Sequence, residues 1–129
     1  MNGKHADVRA ATIRFEDGIL CVTFREGARV TLEDAMESLA AYWSLVGSPK
    51  RVPVLVDMRR IASMSDDARR YFSGAETEAG SMGAALVIDS PISKVIANFM
   101  IAVNKPPFPT RMFTDPAEAL DWLRALVVG

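Results

Sequence analysis

Short, almost wholly apolar runs alternate along this chain with segments whose apolar residues fall three and four positions apart. Pro53-Val54-Leu55-Val56, continuing to Asp57 and Met58, and Ala84 to Ile88 read as strands covered on both faces, because a strand with one wet face would alternate. Between and after them the spacing is helical. From Thr31, an N-cap with Glu33 and Asp34 behind it, Leu32, Ala35, Met36, Leu39, Ala40, Trp43 and Val46 form one stripe that stops at Gly47-Ser48-Pro49. Ser65 opens a second helix with Ala68, Tyr71, Phe72, Ala75 and Ala79 inward, Arg69, Arg70, Glu76 and Glu78 outward, and Gly80 and Gly83 beyond its end. Asp89-Ser90-Pro91 turns into a third over Ile92 to Val103, with 92, 95, 96, 99, 100 and 103 inward, broken by Pro106-Pro107-Phe108-Pro109. Arg111 to Phe113 is strand-like, and Asp115-Pro116-Ala117-Glu118 opens a last helix through Leu120, Leu123, Leu126 and Val127.

The start differs. Val8 to Phe15 and Ile19 to Phe24 flank Asp17-Gly18, a pair that supplies the positive φ angles of a tight hairpin turn. The predicted order is ββαβαβαβα: one α/β domain over 1–129, residues 1–7 flexible, a mainly parallel sheet, right-handed crossovers and an antiparallel first strand. The length leaves no room for a second ordinary domain.

Charge and residue inventory narrow the functions. Fifteen Lys and Arg against sixteen Asp and Glu give no bulk attraction for nucleic acid or an anionic membrane. No apolar run approaches the roughly 20 residues of a membrane span, and Met1 to Phe15 has no apolar signal region, so a cytoplasmic location is expected. With one cysteine, Cys21, and one histidine, His5, neither an internal disulfide nor a usual zinc site is expected, and no cofactor is implied. No imidazole base is placed for a serine or cysteine nucleophile. Gly80-Ser81-Met82-Gly83 precedes a strand and so cannot act as a phosphate loop at a strand-to-helix turn. Cys21 reads as a small buried hydrophobe, and Pro106 to Pro109 as a stiff loop despite its P-x-x-P spacing.

With that order in place, Val54-Leu55-Val56-Asp57-Met58-Arg59-Arg60-Ile61-Ala62-Ser63-Met64-Ser65-Asp66-Asp67-Ala68 resembles the strand, loop and helix start of the STAS, or SpoIIAA-like, anti-sigma-factor antagonists. The later half, from Asp89-Ser90-Pro91 to Phe113-Thr114-Asp115-Pro116-Ala117-Glu118-Ala119-Leu120-Asp121-Trp122-Leu123, is similar to bacterial STAS/SEC14-like proteins. The resemblance implies a SpoIIAA-like fold and a non-enzymatic regulatory or protein-interaction module. The antagonists carry Asp-Ser-Ser-Gly where this chain has Ser65-Asp66-Asp67-Ala68, and their second serine is the one phosphorylated. Asp67 stands at that place, a permanent carboxylate in place of a switchable hydroxyl, so the usual phosphoserine switch is not expected. The implied partner surface is Met64, Ser65, Asp66, Asp67, Arg69 and Arg70.

Three further sites follow from the predicted order. Asp57, Arg59, Arg60, Asp89, Ser90 and Ser93 should meet at the carboxyl edge of the sheet, the usual ligand position in an open α/β fold. There the third helix start with Arg59 or Arg60 would suit an anion, and Asp57 with Asp89 an acid-base pair, although helix capping and solvated arginines explain the same residues. Asp66 and Asp67 can pair Arg70 as an ordinary ionic face. On the third helix, Ala97, Ile101 and Ala102 lie outside the predicted inward stripe, so the last helix or a second copy should cover them. A homodimer through that face, or through an edge strand Val8 to Phe15, is expected. The same apolar width, with Met58, Met64, Met82, Met100 and Met112, would otherwise line a pocket for an amphipathic or lipid-like ligand, or simply fill the core.

Overall fold

Asp17 and Gly18 take φ angles of 53° and 78° and close a hairpin in the antiparallel half of the sheet. The structure, a computed structural model, describes residues 4–47 and 50–128. Its strands and helices are β1 (Lys4–Asp7), β2 (Ala11–Glu16), β3 (Ile19–Phe24), β4 (Arg29–Val30), α1 (Leu32–Val46), β5 (Val52–Asp57) and β6 (Ser63–Met64). There follow α2 (Asp66–Phe72), α3 (Ala75–Glu78), β7 (Ser81–Val87), α4 (Pro91–Phe99), a π-helical turn over Met100–Asn104, β8 (Thr110–Phe113) and α5 (Pro116–Val128). The main sheet runs β1-β2-β3-β5-β7-β8, and β4 and β6 form a small parallel pair beside it. Pairing is antiparallel from β1 to β3 and parallel from β3 to β8, so the expected mainly parallel sheet with an antiparallel start is present.

Alternation along β3 divides the core. Leu20, Val22 and Phe24 face a large cluster with Ala35, Tyr42 and Leu45 of α1, Ala68 of α2, and Ile96 and Ala97 of α4. Ile19 and Cys21 face the opposite side, where Ala85, Val87 and Phe113 meet Ala119 and Leu123 of α5. One layer therefore holds α1, α2 and α4, and α5 stands alone on the other face. Burial pushes the Cys21 thiol up and leaves it mainly protonated.

Several expectations are corrected. Residues 4–7, expected to be flexible, pair with β2 as the outermost strand, so the expected edge strand Val8 to Phe15 has neighbours on both sides. The second helix is two pieces, because its chain turns at Ser73-Gly74, and Ala75 and Ala79 are exposed. On α1 the buried face runs through Ala35, Ser38, Tyr42 and Leu45, while Met36 and Ala40 are exposed. That rotation buries polar atoms only because each has a partner: Ser38 donates to the Asp34 carbonyl at 2.9 Å, and Tyr42 donates to the Lys50 carbonyl. The helix stops at Gly47, φ 89°; Ser48 and Pro49 of the expected stop lie outside the described residues.

The third helix carries the largest correction. Ile92, Val95, Phe99 and Val103, all expected inward, are exposed, whereas Ala97 is completely buried and Ile101 is half-buried. Ala102 alone of the three expected interface residues is exposed. The cause is the helix start: Ser93, with no accessible surface, turns its hydroxyl back under Ser90, which fixes the buried side on 93, 96, 97 and 100. The last helix does not cover the exposed stripe, since it lies across the sheet.

Candidate functional site

Three places gather the residues singled out above. At the carboxyl edge of the sheet, β5, β7 and β8 are neighbours, and Met58 N–H donates to the Val87 carbonyl at 2.9 Å as Ile88 N–H does to Phe113. The expected convergence of Asp57, Asp89 and the Phe113 turn is thus met by adjacent strand ends. The Asp57 carboxylate there is already paired. Arg59 clasps Asp57 through Nε to Oδ1 at 3.0 Å and Nη2 to Oδ2 at 2.9 Å, with its own N–H on Oδ1 at 3.1 Å. Burial alone would raise the Asp57 carboxyl, but these bonds outweigh it and hold it below the ordinary range. Arg60 reaches instead to Glu26 at 2.8 Å, both well exposed.

The α4 start is closed by a reciprocal cap. Ser93 N–H donates to Ser90 Oγ at 3.1 Å and Ser90 N–H to Ser93 Oγ at 3.0 Å, while Asp89 N–H also points to Ser93 Oγ at 3.2 Å. These are the donors an anion would need, and with Pro91 at the first position they leave no cradle. The anion reading of Ser90 and Ser93 is therefore corrected to capping.

The second place is the α2 start. Ser65 Oγ accepts from Ala68 N–H at 3.2 Å and donates to Asp67 Oδ1 at 2.5 Å. That hydroxyl, ahead of nearby backbone N–H groups and the Arg70 charge, holds the exposed Asp67 carboxyl below its ordinary value. Ser65, Asp66, Asp67 and Arg70 are exposed, as a contact surface requires. Met64 is not: it is 6% exposed and belongs to the core. Arg69 is not an outward residue either, with a side chain 13% exposed. Its Nη1 donates to the Met64 carbonyl at 2.8 Å, its Nη2 pairs with Asp66, and its guanidinium carbon lies 4.7 Å from the centre of the Phe99 ring. Asp66 thus pairs with Arg69 and not with Arg70. Sequence reasoning missed the join this makes between the α2 start and the Ile92, Val95, Phe99 and Val103 stripe, because the partners lie thirty residues apart.

The third place is a cavity of about 90 Å³ between the sheet and its larger helical layer. Its floor is Leu20, Val22, Val54, Val56, Ala84 and Leu86, and its roof includes Leu39, Tyr42, Phe72, Met100 and Phe108. Met58 and Met64 of the expected methionine set line it as well; Met82 and Met112 do not. Val54 and Val56 are only partly buried although β5 is central in the sheet, so the roof is incomplete over the middle strand. Pockets that hold drug-sized ligands are roughly 300–1,000 Å³, well above this volume.

A domain-family model matches residues 13–127. The chain belongs to that family, DUF7793, a domain of unknown function. A search of curated proteins finds no match for this DUF7793 chain. Among solved structures it is similar to an uncharacterized DUF3478-family protein with a SpoIIAA-like fold from Shewanella loihica PV-4, at 18% identity and TM-score 0.60, covering 95% of this chain and 94% of that one. It is also similar to the anti-sigma factor antagonist SpoIIAA in its unphosphorylated form, at 15% identity and TM-score 0.50, covering 95% and 97%. A protein of unknown function from Arthrobacter sp. FB24 shares 32% identity over 87% of this chain and 97% of its own, with a TM-score of 0.33. The DUF7793 chain has a SpoIIAA-like fold, as the resemblance implied. No helix among the described residues is long and apolar enough to cross a membrane, and no three His, Cys, Asp or Glu among them are grouped to hold a metal.

Proposed function

We propose that the DUF7793 chain is a regulatory protein-interaction module whose partner surface combines the α2 start with the outer face of α4. One observation carries the reading: the exposed Ser65, Asp66, Asp67 and Arg70 lie beside an exposed apolar stripe, Ile92, Val95, Phe99 and Val103, and Arg69 joins the two by pairing Asp66 while stacking on Phe99. Large exposed side chains repeated along one helix face are costly in water unless a partner covers them. The matching partner presents an apolar ridge flanked by basic residues that meet Asp66 and Asp67. The fold likeness to SpoIIAA, an anti-sigma factor antagonist, supports a regulatory role.

In this reading the module binds without a phosphoserine switch. Asp67 already carries its charge and holds the Ser65 hydroxyl proton. Asp57 is held in its Arg59 ion pair and Ser90 and Ser93 in the helix cap, so no acid-base chemistry is assigned to Asp57 and Asp89, and the chain works as a binder in the cytoplasm.

Capture from the native host with the wild-type chain and with the Asp67→Lys, Arg70→Glu variant tests the surface. A specific protein whose purified form binds the wild type and loses at least about tenfold affinity for the variant supports it. Identical capture by both chains, or none by either, counts against it. Sedimentation at micromolar concentration distinguishes a second copy of the chain: a dimer lost on Val95→Glu makes the partner the chain itself, and a monomer leaves the surface to another protein.

A further inference from the structure

The side chains around the cavity under α1 are apolar apart from five that carry a hydroxyl, Ser38, Tyr42, Thr77, Ser81 and Thr110. Four of these are committed to the main chain. Ser38 donates to the Asp34 carbonyl at 2.9 Å, Tyr42 to Lys50, Thr77 to Tyr71 at 2.8 Å, and Thr110 to Phe108 at 3.0 Å. Ser81 is the exception: it is 3% exposed, and its Oγ has no hydrogen-bond partner among the described residues. A buried hydroxyl left unpaired is destabilising, and native proteins retain few of them.

The backbone register places Ser81 on the cavity side of β7. Ala84 lines the floor while Gly83 faces α5, where an added Cβ would lie 2.5 Å from Leu126 Cδ1. Simple alternation back from Ala84 would place Ser81 on the α5 side too. The register between β5 and β7 shifts instead, from Val52 opposite Ser81 to Pro53 opposite Gly83, so Met82 is an extra residue and Ser81 returns to the cavity side. Bulges of this kind re-aim a side chain beside functional sites. The surrounding wall is able to adjust, because Met58, Met64 and Met100 are unbranched and polarizable, and Met100 starts the π-helical turn.

We propose that this cavity binds a compact apolar molecule carrying one hydroxyl or carbonyl oxygen, about the size of a phenol, with that oxygen on Ser81 Oγ. The volume of about 90 Å³ is below the roughly 150 Å³ of an engineered apolar cavity that takes benzene, so a lipid chain is excluded and a single ring requires the methionines to give way. The proposal is independent of the partner surface on α2 and α4.

Phenol and toluene are the probes, titrated into the full chain carrying ¹³C-methyl methionine. Saturable shifts confined to Met58, Met64 and Met100 are expected with both. In Ser81→Ala, phenol should weaken about tenfold while toluene stays within about twofold, and the thermal midpoint of the free chain should not fall, since the substitution removes an unpaired hydroxyl. No saturable shift with either probe overturns the proposal. So does an equal loss for phenol and toluene, or a fall in the midpoint, which would give Ser81 a partner within the fold. Ala84→Leu fills the floor and should abolish both shifts; their persistence in a folded Ala84→Leu chain places the binding elsewhere and overturns the site.

Discussion

Arg9 holds its Nε 2.8 Å from Asp34 Oδ1, so the turn between β1 and β2 is tied to the first turn of α1 by a carboxylate only 3% exposed. Asp34 also accepts the Thr31 N–H at 2.9 Å while its own N–H reaches Thr31 Oγ1, closing a capping box. Asp34→Ala removes the ion pair and half of the cap together, and should cost about 2 kcal/mol in urea unfolding. Arg9→Ala leaves the cap intact but strips a buried carboxylate of its cation, and should cost at least as much as Asp34→Ala.

Acid should weaken the fold through two carboxylates. The Arg9 bonds, helped by Thr31 and opposed by burial, hold Asp34 below its ordinary 3.8; burial of Asp57 acts upward, but its Arg59 bonds prevail and hold it below 3.8 too. For groups with depressed folded-state pKa the stabilisation is complete above the unfolded value and is lost as pH falls through the folded one. Urea midpoints should therefore be level between pH 6 and 7 as far as these two groups are concerned, and fall below about pH 4. The fall should be shallower in Asp34→Asn, which has only Asp57 left to titrate of the two.

Ser65→Ala should destabilise the chain by about 1 kcal/mol, the usual loss for a helix N-cap, because Ala68 N–H then has no side-chain acceptor. Ser65→Asp supplies an acceptor to the same N–H but sets a second carboxylate beside Asp67, so it should recover only part of that loss. Chemical denaturation of the three chains gives the order wild type, Ser65→Asp, Ser65→Ala.

The orientation of α4 is checked by two glutamates. Val95 is 62% exposed and Ala97 has no accessible surface, so Val95→Glu should change stability by no more than about 0.5 kcal/mol while Ala97→Glu should cost more than about 3 kcal/mol or prevent folding. Comparable melting of the two variants would reverse the assignment of faces.

Gly80→Ala should cost about 1–3 kcal/mol by thermal melting. An added Cβ would stand 2.6 Å from Tyr42 Cε2, and that ring is held in place by the hydroxyl bond to the Lys50 carbonyl.

Periodicity made the α/β order readable. Val54 to Val56 and Ala84 to Ile88 are apolar without a break, and the hairpin at Asp17-Gly18 depends on four residues in a row. Helix starts were legible for the same reason: Thr31, Ser65 and Ser90 each cap through an atom three residues away. What failed was rotation about the helix axis. Counting apolar residues on α4 favoured Ile92, Val95, Phe99 and Val103 as inward because they are large, yet the small Ser93 and Ala97 are what the sheet layer accepts. At the candidate site, the exposed Asp66, Asp67 and Arg70 were foreseen from the helix start alone, whereas the buried roles of Met64 and Arg69 depend on the β4 and β6 pair and on Phe99.

The sequence by itself determined the alternation of the main strands and helices after the Asp17-Gly18 hairpin and which residues open the helices, since each depends on backbone preferences and bonds within about four residues. Only the tertiary structure decided that β1 extends the sheet, that α5 stands alone on its face, that Arg69 bridges Asp66 to Phe99, and that Ser81 is left unpaired beneath α1. Those outcomes depend on how much volume two distant layers leave between them and on which polar atoms find partners across it. Such quantities belong to the packed whole, and no local spacing encodes them.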